Sequence, residues 1–241
     1  MKQYVYRNMG RGYFESAKSE GIPVGSLSEV SKSLQPFHGR AMIASGLKVY
    51  KQIQTDDGNL ALICSYLDPR GDRGSYLAHV LFTGNLQERA QYHAMLPAGS
   101  GYFDSCYDAD RTYTPAMSEE VKLEDFFQGR SISAEERLAY IRQELGNDEM
   151  LRNMLCALLD VAAQNPRMIV VQLKDDDLAE LSRHGRMLAE ALLSVMPTQV
   201  ASNIGWLSVA NDCSGNAAYK LRFTNRTTAG FQLNGNGMAY L

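Results

Sequence analysis

Long apolar runs are missing from this sequence of 241 residues. No stretch reaches the length a helix needs to cross a bilayer. The opening MKQYVYRNMGRGYF also lacks the apolar core of a secretory leader, so a cytoplasmic chain is expected. A basic excess is missing too. Lysine and arginine number 24 against 27 aspartates and glutamates, for a formal net charge of -3 and a pI near 5.8. Non-specific nucleic-acid binding is therefore not expected. The 4 cysteines (Cys64, Cys106, Cys156, Cys213) are far apart. Without a CxxC, an HxxxH or a close Cys–His pair they read as reduced thiols, and no metal centre or cofactor is expected. Phosphate loops are absent as well: no GxxxxGK[ST] occurs, and Gly10-Arg11-Gly12 lacks the third glycine of a dinucleotide fingerprint. Internal repeats and low-complexity tracts are not found.

What is present is an ordinary globular composition, 45% hydrophobic and 21% charged, in a chain long enough for a substantial core. The stretch Asp68 to Thr83, DPRGDRGSYLAHVLFT, organises the reading. A turn rich in Gly, Asp and Pro enters an almost uninterrupted apolar strand, and successive apolar residues imply burial on both faces. Upstream, Val49–Gln54 and Leu60–Leu67 flank Asp56-Asp57-Gly58-Asn59, which is hairpin chemistry, so three sequential antiparallel strands are predicted. Gln3–Arg7 reads as a further strand, Tyr13–Ser19 as one or two helical turns, and Ser26-Leu27-Ser28-Glu29 as a capping box opening a helix to Leu34. A short helix is predicted over Leu86–Met95.

From Ser131 the period changes. Ser133 with Glu136 is a second capping box, and Leu138, Ile141 and Leu145 recur at helical spacing until Gly146. Asn147 caps a helix so apolar all round (Met150, Leu151, Met154, Leu155, Leu158, Leu159) that it should be largely buried. Met168–Leu173 is a strand and Asp177 starts a helix to about Met196. Asn203–Val209, Tyr219–Thr224 and Gly230–Leu233 are further strands. A strand–helix–strand crossover makes its two strands parallel if they share a sheet. The prediction is α+β, with antiparallel strands in the N-terminal half, a helical middle, and a mixed sheet with a β-α-β crossover in the C-terminal half. It is one elaborated domain, with a sub-division at 1–117 and 131–241 as the alternative.

Candidate sites follow from residue type. His79 is the conspicuous polar residue of the central strand. A buried strand histidine is usually hydrogen-bonded and structural; as a base it would need a nucleophile such as Ser105 or Cys106. Asp175-Asp176-Asp177 after a strand could hold a divalent cation, although acidic residues there also cap the following helix. In the irregular segment after Gly101, Tyr102, Phe103, Tyr107, Arg111 and Tyr113 gather residue types that dominate interfaces, or fold inward as packing.

The segment QYVYRNMGRGYFESAKSEGI resembles the opening of the N-terminal module of the GTPase-associated protein family of bacterial conflict and phage-defence systems. RGDRGSYLAHVLF resembles that module's central motif, which here would be Arg73, Gly74 and His79. LLSVMPTQVASNIGWLSV resembles a later signature, a helix ending in Pro followed by a strand. The late strand reads Trp206-Leu207-Ser208-Val209 where the family usually has Leu-Ser-Phe. The resemblance implies a non-catalytic adaptor or sensor that binds a protein partner, a GTPase or another defence component. The alternatives are an enzyme with a site around His79, His38 or Asp175–Asp177, and a small-molecule or nucleotide sensor.

Overall fold

The computed structural model describes residues 1–8, 12–34, 47–68, 75–95, 102–105, 120–127, 132–163, 167–210, 218–225 and 238–240. Among them Leu60–Leu67 shows best why the chain folds as it does. This strand is buried along nearly its whole length because it has a strand on either side and helices over both faces. Its hairpin turn depends on Gly58, whose φ of 81° is left-handed backbone that favours glycine. Thr55 N–H donates to Asn59 O at 2.9 Å across the same turn.

The strands are β1 (Lys2–Asn8), β2 (Tyr13–Lys18), β3 (Lys48–Gln54), β4 (Leu60–Leu67), β5 (Tyr76–Thr83), β6 (Met168–Gln172), β7 (Gly205–Leu207), β8 (Tyr219–Thr224) and β9 (Met238–Tyr240). They form one sheet in the order β2-β1-β5-β4-β3-β7-β8-β6-β9. From β2 to β7 every neighbouring pair is antiparallel. From β7 to β9 every neighbouring pair is parallel. The α+β class predicted from the sequence is therefore the observed one, and its sheet is mixed. The crossover strands β6 and β7 are parallel as expected, with β8 inserted between them.

Helix α1 (Val24–Ser31), with Ile22, Leu34 and Leu47, covers one face of the sheet, against Val49, Ile63, Ala78 and Val80. The other face carries Val5, Tyr50, Leu62, Cys64, Leu77 and Trp206. It is covered by α2 (Leu86–Met95), α3 (Tyr102–Ser105), α4 (Leu123–Phe127), α5 (Ala134–Leu145), α6 (Asp148–Ala163), α7 (Leu178–Ser194) and α8 (Thr198–Ser202). Helix α5 has the reciprocal capping box of Ser133 and Glu136 and stops at Gly146 in the left-handed conformation. Asn147 then caps α6 through Met150 N–H at 2.8 Å, and Asp177 caps α7 through Ala179 and Glu180 N–H. Helix α7 lies unusually close to the sheet. A Cβ on Gly185 would stand 2.4 Å from Ser208 O, and the Ser182 and Ser208 hydroxyls meet at 2.6 Å.

Some expectations change. Residues 13–18 form a strand and not helical turns, because β1 offers a ladder that Tyr13 and Phe14 suit better than a helix. Helix α1 starts at Val24 after Pro23 without a side-chain cap, and Ser26 Oγ donates instead to the Asp57 carboxylate at 2.6 and 2.7 Å. Helix α6 is buried along one face only, at Leu151, Met154, Leu158 and Val161, while Leu159 is 48% exposed. The strand expected at 230–233 lies outside the described residues. No helix among the described residues is long and apolar enough to cross a membrane.

Candidate functional site

On β5 the odd-numbered residues face the large helical layer, which places His79 beneath α3. Val5 is its partner on β1, so Gln3, two residues back, shares that face. His79 Nε2 meets Gln3 Oε1 at 3.0 Å, and the Tyr102 hydroxyl donates to the same oxygen at 2.9 Å. Gln3 N–H donates to Ser19 Oγ at 2.8 Å. One amide oxygen thus joins β1, β5 and α3. Phe103 stands edge-on to the imidazole, with centroids 5.4 Å apart. Burial lowers the His79 pKa to about 3, so the ring is neutral at physiological pH. With an amide oxygen as acceptor, the Nε2 atom carries the proton and acts as a donor. It does not serve as a base there.

The fold brings together what linear spacing separates. Cys64 is the register partner of His79 on β4, and both are fully buried. Tyr50, 6.1 Å from the Phe103 ring, carries the Arg186 guanidinium over its face at 4.4 Å. Arg186 Nε donates to Glu190 Oε1 at 2.8 Å, and both side chains are buried. Burial alone would lower the Arg186 pKa, but the Glu190 carboxylate and Tyr50 outweigh it and raise the value. On the opposite face Lys51 is fully buried and donates to Ser33 O at 2.6 Å. Burial pulls its pKa down to about 7. Gln3, Arg186, Glu190 and Lys51 were not singled out by sequence. The opposite charges of Arg186 and Glu190, one helical turn apart, were the available signal.

Of the contact residues expected from sequence, Phe103 is buried and Tyr102 half-buried. Phe103 therefore packs between His79, Tyr50 and Phe126, the inward-packing alternative of the two readings and not the surface contact. Arg73, Gly74, Tyr107, Arg111 and Tyr113 lie outside the described residues, as do His38 and Cys106. The acidic run divides its labour. Asp177 caps α7, Asp175 Oδ2 lies 2.8 Å from His184 Nδ1, and the Asp175 carbonyl accepts from Asn225 at 2.9 Å. Among the described residues no group of three or more His, Cys, Asp or Glu side chains is arranged to hold a metal.

At one end of the sheet a cleft of about 280 Å³ is lined by Ile22, Pro23, Phe82, Asn59, Asn85 and Glu88, among others. A second of about 440 Å³ runs along α2 past Gln87, Gln91 and Glu124. Compared with family models, curated proteins and solved structures, the chain gives no match.

Proposed function

We propose that this chain is a non-catalytic association module, an adaptor or sensor acting by protein–protein contact in a cytoplasmic bacterial defence system linked to a GTPase. The observation that carries the reading is the meeting of two segments on which the family resemblance rests. The opening segment supplies β1 and β2, the central motif supplies β5, and the three strands are neighbours at one end of the sheet. Gln3 from the first segment binds His79 from the second. A motif histidine that donates its proton inside the core fits an architectural role better than turnover. The outer strand β2 turns Phe14 out, 51% exposed, and its bulge and charges guard against indiscriminate pairing of the open edge.

The test is titration calorimetry of the purified chain against a GTPase of the class that the resemblance implies. A complex weakened by Phe14→Glu, in a variant that still melts cooperatively, is the expected result. Absence of any complex, with steady turnover of a small substrate by the chain alone, overturns the reading.

A further inference from the structure

We propose that His184 is the hub of a proton-dependent clamp fastening α5 to the β6–α7 turn. Its two ring nitrogens face carboxylates from two different elements. Nδ1 lies 2.8 Å from Asp175 Oδ2 in the turn after β6. Nε2 lies 2.7 Å from Glu144 Oε2 in the last turn of α5. All three side chains are about a quarter exposed, so protons reach them from solvent.

A neutral imidazole carries one N–H and can serve one of these carboxylates; the doubly protonated ring serves both. Each such bond between imidazolium and carboxylate is charge-assisted, which makes it short and strong. Taking up a proton therefore adds a bond between elements, and losing it leaves one carboxylate facing a ring lone pair. The other charges around the ring are accounted for. From α5, Tyr140 lies one turn before Glu144, and burial, followed by the Glu144 carboxylate, holds its phenol protonated. From α7, Arg183 is bound to Glu180 at 2.6 and 2.9 Å while adding positive potential near Asp175. From the turn, Asp177 is committed to the α7 cap. Lys174 and Asp176 complete that turn. His184 bridges the two elements directly, with a carboxylate from each on opposite sides of its ring.

The clamp gives α5 an attachment whose strength follows pH, beside the apolar contact of Ile141. The experiment compares wild type with Glu144→Gln in the full chain by melting at about pH 5.5 and about pH 8.5. The gap between the two proteins is expected to be wider at the lower pH, by about 2–4 °C if one charge-assisted bond is at stake. An equal gap at both values, or a wider one at the higher, overturns the proposal. Should Glu144→Gln fail to fold, ring ¹⁵N NMR of the wild-type chain decides. Two ring N–H protons on His184 at the lower pH, one of them lost at the higher, uphold the clamp. A ring with a single proton throughout refutes it.

Discussion

Mild acid should weaken this fold well before its carboxylates titrate, because two histidines are buried as neutral rings. Burial lowers the His79 pKa to about 3. Burial, with a smaller contribution from Arg89, lowers that of His93 to about 4. In the unfolded chain both return to about 6.5. Between those values the unfolded state binds more protons, so stability rises with pH and is lost as pH falls below about 6.5. At about pH 5 each ring costs roughly 2 kcal/mol, because a tenfold difference in proton affinity is worth about 1.36 kcal/mol. Together they remove about 4 kcal/mol from a total expected at about 5–15 kcal/mol. The depressed carboxyl of Asp57, where burial is outweighed by hydrogen bonds from Ser26, Thr55 and Asn59, acts in a separate window. Its stabilisation is lost as pH falls below its ordinary value of 3.8. Urea unfolding at about pH 7.5, 6 and 5, followed by the fluorescence of Trp206, isolates the histidine window. That residue is the only tryptophan and is fully buried. His93 is the better probe, since neither ring nitrogen has a hydrogen-bond partner among the described residues. His93→Leu should raise stability and remove about 2 kcal/mol of the loss between pH 7.5 and 5. An unchanged loss in that variant, or a flat wild-type profile, refutes the argument.

Two further outcomes follow from packing and charge. Gly185→Ala should destabilise by about 1–3 kcal/mol, because its Cβ would meet backbone at Ser208; equilibrium denaturation reads this directly. Arg186→Met should cost about 3–5 kcal/mol by leaving Glu190 charged and unpaired in the core, and adding Glu190→Leu should recover most of it. A denaturation double-mutant cycle that shows no recovery contradicts the role given to that pair.

The sequence made strands legible where burial on both faces leaves an apolar run, as in Leu60–Leu67 and Tyr76–Thr83, and helices legible where caps punctuate them, as at Ser133, Gly146 and Asp177. It was misleading where a tertiary partner decides the outcome. Tyr13–Lys18 becomes a strand only because β1 is there to pair with. Ser26 abandons its cap only because Asp57 arrives from a hairpin tip. His79 could be read as a buried strand histidine, but Gln3, its partner, has no local signal: its importance comes from a register set by the pairing of β1 with β5. The same holds for Lys51, whose burial depends on the cover that Leu34 and Ser33 bring from after α1.

The antiparallel and parallel halves of the sheet join along a narrow seam. Strand β7 is three residues long, and its pairing to β3 rests on Lys51↔Leu207 and Gln52↔Trp206. Tyr50 N–H adds a bond to Ser208 Oγ, from a residue 158 positions away. In kinetic terms the β3–β4–β5 meander needs only local closure, whereas the seam must wait for most of the chain to be in hand. Pulled from its ends or left on a slow ribosome, the chain would therefore have a half-built sheet with β3 as an unsatisfied edge. The time until β7 docks is when this protein is most exposed to pairing with the wrong strand.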